Sequence, residues 1–391
     1  MIDYYYFSEM PYPETPELDQ YPSIRLTYPN KYFNPEKGSQ LYKRYLDEYA
    51  YAETVGFDGL MVNEHHNTPT CMHMAANLSA AALIQRTKSS KILLLGNVIA
   101  LWENPVRLAE EVAMLDLMSE GRVISGFVRG IGIEQFSMNL NPGLNRERFQ
   151  ESHDLIIKTW TEPGPFRWEG KHFHFRYVNP WIFPLQKPYP PIWIPGIGST
   201  ESIKWAAQHG YPYVSFLAPM DMAEQWFDLY RETAQKSGYT ATPHNLGYMT
   251  GLFVAETEAE ARKSFEHYLW RTQTSLKGPI HYYMPLGMTT RGTASILTEG
   301  AGTKKHKPVF QMSIDDLQEA GGFVVGTPEV VAQRLKEIIK RLGIGHLIFE
   351  AQYGGLPHDL TMRSIELMGK EVLPVLRKEL ASGDSAHNLA F

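Results

Sequence analysis

The feature that most constrains this chain is an alternation along its length. Short β-branched or aromatic runs recur at residues 4–7, 59–62, 91–101, 123–127, 191–194, 214–217, 246–255 and 345–350. Most are followed by a stretch with helical periodicity, at 40–54, 74–85, 105–118, 146–160 and 200–208, with Pro105 placed for a first helical turn. Strands alternating with helices form a parallel sheet, because each crossover needs a helix to return the chain to the same edge. Eight such units point to a closed (β/α)8 barrel, a TIM barrel, with a doubly wound open sheet as the competing solution. One barrel domain is expected over residues 1–380, with a short tail at 381–391. A barrel needs about 250 residues, so a chain of 391 must carry insertions. Residues 166–190, dense in aromatics and proline, read as a hairpin flap. Residues 278–323 have no sustained periodicity and read as an active-site lid.

Composition narrows the function classes. Hydrophobic residues make up 43% and charged residues 20%, enough apolar surface for a large core. The net charge of −6 creates no basic field for nucleic acid or anionic lipid. With a single cysteine, Cys71, an internal disulfide and a four-cysteine zinc site are excluded. No apolar stretch approaches the ~20 residues that cross a bilayer. The opening MIDYYYFSEMPYPE is acidic and aromatic, unlike a secretory signal, so a cytoplasmic location is expected.

Four segments could carry chemistry. Glu64-His65-His66 follows the second strand, where a barrel builds its active site. One of the two histidines should face the pocket and could move a proton near neutral pH, with Glu64 nearby; the plain alternative is a rim histidine satisfied by backbone. The run GFVRGIG at 126–132 brings backbone close to a ligand and offers Arg129 as a fork for phosphate, or as a structural ion-pair residue. It lacks the third glycine of a dinucleotide fingerprint, where Gln135 stands. Arg146, opening the next helix, invites the same two readings. The loop PGIGSTES at 195–202 opens a helix after the fifth strand and is either a phosphate cradle or an ordinary cap by Ser199 or Thr200. Two candidate arginines on the same rim favour phosphate. His172 and His174 share a strand face, but they read better as one arm of a hairpin than as the start of a zinc site, so no metal is expected. Cys71 reads as a buried passive thiol.

These stretches together resemble the bacterial luciferase-like flavin monooxygenases over nearly the whole length. The resemblance rests on NEHH at 63–66, NPVRLAEEVAMLDLMSEGRVISGFVRG at 104–130, PPIWIPGIGSTESIKWAAQHG at 190–210 and GTPEVVAQRLKEIIKRLGIGHLIFE at 326–350. It implies a barrel that binds reduced FMN at the C-terminal rim. His65 would assist oxygen chemistry beside the flavin with Glu64 next to it, while Arg129, Arg146, Gly198, Ser199 and Ser202 would hold the phosphate. A non-proline cis peptide against the flavin ring is implied near Asn97-Val98. The luciferases proper have a cysteine where this chain has Val128, which weakens any inference to light emission.

The resemblance further implies a two-component enzyme in which reduced FMN and O2 form a C4a-peroxyflavin that oxygenates a small, hydrophobic organic substrate. A separate NAD(P)H:flavin reductase would supply the reduced FMN, and the oxygenase would be a homodimer. The competing readings are a deazaflavin (F420)-dependent hydride-transfer oxidoreductase on the same barrel, a silent flavin-binding subunit, and a metal-dependent hydrolase using His65, His172 and His174.

Overall fold

The computed structural model describes residues 2–216, 218–275, 277–285, 287–288 and 312–387. Eight parallel strands close into a barrel: β1 (Asp3–Ser8), β2 (Gly59–Val62), β3 (Lys91–Val98), β4 (Val123–Val128), β7 (Ile192–Gly196), β8 (Tyr213–Phe216), β9 (Leu246–Val254) and β11 (His346–Gln352). Neighbours pair in chain order, and the β8–β9 and β11–β1 pairings complete the ring. Strands β5 (Phe166–Glu169) and β6 (His174–Val178) form the expected antiparallel hairpin. The alternation described above is thus borne out as a (β/α)8 barrel with insertions.

Side chains alternate along each strand, so one set fills the barrel and the other meets the helices. Tyr5, Phe7, Met61, Leu93, Leu95, Ile124, Trp193, Val214, Met249 and Ile348 form the inner core. Tyr4, Tyr6, Leu60, Leu94, Phe127, Ile194 and Phe349 belong to the larger cluster beneath the helices. Helices α1 (Pro35–Thr54) and α3 (Pro105–Met118) start on local signals: Asn34 accepts from the Lys37 N–H at 2.8 Å and Asn104 from the Arg107 N–H at 3.2 Å, each with proline next in line. Helix α2 (Ala76–Arg86) begins on Ala75, which cannot cap it; Glu64 Oε2 accepts the Ala76 N–H instead, at 3.0 Å.

Three features differ from the sequence reading. A ninth strand of the sheet, β10 (Phe323–Gly326), pairs along β9 at Gly251–Val254 and begins at the last residue of the segment read as a lid. Of that segment, 286 and 289–311 lie outside the described residues; Ile280–Tyr283 and Ile314–Ala320 are short helices. The third strand ends at Val98, and its non-proline cis peptide is Leu95–Gly96, two residues before the expected Asn97-Val98. The β3–β4 register shifts between Leu95 and Asn97, and a Cβ on Gly96 would lie 2.5 Å from Gly126 O, so the irregularity sits where only glycine fits. Residues 381–387 continue the final helix, Leu373–His387, and 388–391 lie outside the described residues.

Helix α5 (Asn145–Thr161) carries the hairpin. The Glu151 carboxylate accepts the backbone N–H groups of Lys171, His172 and Phe173 at 3.0, 2.8 and 3.0 Å, and the Trp168 indole N–H at 3.2 Å. His172 Nε2 faces Glu147 of α5 at 3.1 Å. No helix among the described residues is long and apolar enough to cross a membrane.

Candidate active site

The loop after β2 is held from both sides. Glu64, besides capping α2, faces His66 Nε2 at 3.3 Å with its other oxygen. Both of its oxygens are therefore engaged away from His65. The carboxylate beside His65 comes from elsewhere: Glu134, on the short helix α4 (Gly132–Ser137), lies 2.7 Å from His65 Nδ1. Its other oxygen accepts the Ile131 N–H at 2.7 Å. Burial alone would raise the Glu134 carboxyl, but the His65 hydrogen bond and charge, Arg25, and the Ile131 N–H together hold it below the usual range. An ionised Glu134 accepts the proton on Nδ1, which leaves Nε2 as the His65 atom that could exchange a proton with a ligand. Glu9, just past β1, approaches that Nε2 at 3.8 Å.

His73 anchors the same loop and cannot share this role. Its Nε2 donates to Ser8 O at 3.0 Å and its Nδ1 accepts from Ser79 at 2.8 Å. Burial pushes its pKa down to about 4, so it is neutral at physiological pH. Cys71 is buried with its thiol pushed up by burial, and contacts Asn63 Oδ1 at 3.4 Å.

Asn97, near the end of β3, is fully buried, and neither its Oδ1 nor its Nδ2 has a hydrogen-bond partner among the described residues. An amide left in this state costs about 1–3 kcal/mol per group. Val128 lies on β4 opposite Val98.

The third part of the rim gathers positive charge. Arg129 follows β4 and its only side-chain hydrogen bond among the described residues is a long one, 3.5 Å, to Asn145 Oδ1; its carbonyl is held by Asn145 Nδ2 at 2.6 Å and Gln135 Nε2 at 3.2 Å. Burial, and then the neighbouring Arg146 guanidinium, push the Arg129 pKa down to about 10, with Glu201 opposing. Arg146 Nη2 stands 3.8 Å from Glu201, whose carboxylate also accepts from the Ser199 hydroxyl at 3.1 Å. Ser199 is the N-cap residue of α6 (Thr200–His209) yet makes no side-chain cap, so the simple cap reading does not hold for it. Gly198 has φ +94°, and a Cβ there would lie 2.3 Å from the Trp226 ring. Ser202 lies in the first turn of α6. Two guanidiniums and a helix N-terminus thus meet at one place, an arrangement suited to a phosphate.

Sequence reasoning brings Arg129, Arg146, Gly198, Ser199 and Ser202 to one end of the rim and His65 to the loop after β2, but it misses Glu134. The available signal was the spacing from Ile131 to Glu134, a glutamate reaching back to cap its own helix. At the opposite pole, Asp3, His244 and His346 are the one set among the described residues whose ligand atoms lie within 4.8 Å of one another. Lys91 Nζ already sits 2.7 Å from Asp3 Oδ2 there, and His346 Nε2 donates to His244 O at 3.0 Å.

Comparison with known proteins adds a family and a fold. A family model described as luciferase-like monooxygenase matches residues 29–346. The alkanal monooxygenase alpha chain of Photorhabdus luminescens is 25% identical over 342 residues, 84% of this chain and 90% of that one. Among solved structures, the oxygenating constituent of 3,6-diketocamphane monooxygenase from Pseudomonas putida, a type II Baeyer–Villiger monooxygenase in complex with FMN, superposes with a TM-score of 0.70 at 23% identity, covering 89% of this chain and 96% of that one. An F420-dependent secondary alcohol dehydrogenase shares the fold at a TM-score of 0.66 and 17% identity, covering 96% and 99%.

Proposed function

The chain belongs to the luciferase-like monooxygenase family, and from that premise we propose that it is the oxygenase component of a two-component system using reduced FMN. The observation that carries this reading is the anion-binding end of the rim, where Arg129, Arg146 and the start of α6 converge, on the same rim as the His65–Glu134 pair. The cofactor fits the residues present. Arg129, Arg146, Ser199 and Ser202 would hold its phosphate, with Gly198 letting the backbone turn beneath it. The unpartnered Asn97 amide, a donor and an acceptor side by side, matches the alternating N–H and C=O edge of a flavin pyrimidine.

Bound reduced flavin supplies two electrons to O2; one oxygen atom goes to the substrate and the other leaves as water. The protein's own contribution is to orient, to exclude water and to manage protons. His65 would take or give a proton at Nε2, its orientation fixed by Glu134; Glu64 supports this at one remove by fastening the loop to α2. The substrate is a small organic molecule. As the diketocamphane enzyme is the oxygenating constituent of its system, a separate NAD(P)H:flavin reductase is proposed here too. A homodimer is proposed through α2 and α3, where Leu78 and Met114 are 75% and 55% exposed.

An anaerobic titration with reduced FMN, followed by mixing with oxygenated buffer while flavin absorbance is recorded, tests the reading. Tight binding and a delayed return to oxidised flavin are expected. Failure to bind FMN, or instant reoxidation, would transfer the proposal to hydride transfer with F420, for which reduced F420 is the matching probe.

A further inference from the structure

One buried charge on the rim is not used by the chemistry above. Arg25 lies in the segment between β1 and α1 and is only 5% exposed. A guanidinium carries five N–H donors, yet among the described residues the only side-chain hydrogen bond of Arg25 runs from Nε to Ser275 O at 2.9 Å, and Nη1 is buried with no partner there. Ser275, itself 1% exposed, has a buried hydroxyl that is likewise without a partner. The two residues are held together: Ile24 N–H donates to Lys277 O at 3.4 Å, and Tyr283 donates its hydroxyl to Ser275 O at 3.1 Å. The Arg25 charge also reaches the catalytic pair, since it helps hold the Glu134 carboxyl ionised.

Buried polar groups are almost always paired, so two unpaired donors on adjoining residues call for an acceptor. A guanidinium edge beside a hydroxyl suits a planar anion with two oxygens. The phosphate-binding residues lie elsewhere on the rim, at Arg129 and Arg146. We propose that Arg25 and Ser275 anchor a carboxylate of the organic substrate, so that the enzyme acts on organic acids whose apolar part extends toward the flavin site. This rests on the oxygenase reading of the rim.

The test uses the full chain and matched pairs of small ligands: benzoate with benzamide, and octanoate with octanamide, titrated by calorimetry with and without FMN. At least one acid should bind about ten-fold or more tightly than its amide. Arg25→Gln should abolish that preference while leaving FMN affinity unchanged, Arg25→Lys should restore part of it, and Ser275→Ala should weaken acid binding a few-fold. Equal binding of acid and amide, no binding of either at millimolar concentration, or an acid preference that survives Arg25→Gln would each overturn the proposal and leave Arg25 as a counter-ion for Glu134. Should FMN itself fail to bind wild-type protein, the oxygenase reading falls, whereas the acid-over-amide comparison without FMN still reports on Arg25.

Discussion

Arginines at the two ends of the barrel are treated in opposite ways. At the N-terminal pole Arg122, immediately before β4, makes five side-chain hydrogen bonds: to Ser119 O, Ser90 O, Ile84 O, Thr87 O and the Thr87 hydroxyl, all between 2.9 and 3.2 Å. Immediately after the same strand, Arg129 has, among the described residues, one bond of 3.5 Å, and Arg25 on the same rim one of 2.9 Å. The cavity of about 400 Å³ at the N-terminal pole is lined by charges that answer one another, Asp3 by Lys91 among them. A guanidinium whose donors are spent on backbone carbonyls holds structure, whereas one with unspent donors is suited to a ligand. On the function proposed above, the two poles separate stability from binding within one barrel.

Variants at each pole can sharpen or break that separation. The largest effect is expected for His65→Ala, which should lower product formation by about 10²–10⁴-fold, as removal of a general acid or base does, with FMN affinity retained; unchanged turnover would remove His65 from the chemistry. Glu134→Gln should lie between it and wild type. Next comes acidity. His73 is neutral in the fold down to about 4 but titrates near 6.5 when unfolded, so between those values the unfolded chain binds the extra proton and stability falls as pH falls. The loss approaches about 3 kcal/mol, measurable by urea unfolding across that range, and His73→Asn should flatten the slope.

Arg122→Gln should cost about 2–3 kcal/mol of stability and leave FMN affinity untouched. Arg129→Gln should do the reverse, weakening FMN about 10–100-fold with little change in Tm; equal losses of both properties in both variants would erase the distinction between the poles. Smallest is Asp3→Asn, worth under about 1 kcal/mol because the Lys91 side chain is partly exposed. A marked loss of FMN binding in that variant would mean that the N-terminal pole reaches the site after all.

Much of this was legible in the sequence, for definite reasons. The strands and α3 show because hydrophobic period and proline placement are local. That Arg129, Arg146 and Ser199 lie together on the rim shows because loops after neighbouring strands share one end of a barrel, so position along the chain already carries position in space. Glu134 and Arg25 do not, because their meaning lies in contacts 69 and 250 residues away in sequence. Strand β10 was hidden by its length, four residues against a glycine-rich surround, and the cis peptide was displaced because a register shift at Gly96 cannot be seen from one strand alone.

The single carboxylate of Glu151 gathers four N–H donors from the β5–β6 hairpin onto α5, and α5 is the helix whose first turn carries Arg146. Three of the four donors are backbone, so this clasp reads the shape of the hairpin turn and scarcely its side chains. The hairpin is thus partly exchangeable: its exposed residues can be redesigned provided the turn keeps its path, Glu151 stays, and Phe173 and Val178 remain apolar where they pack with Leu155 of α5, while the barrel beneath it keeps its register.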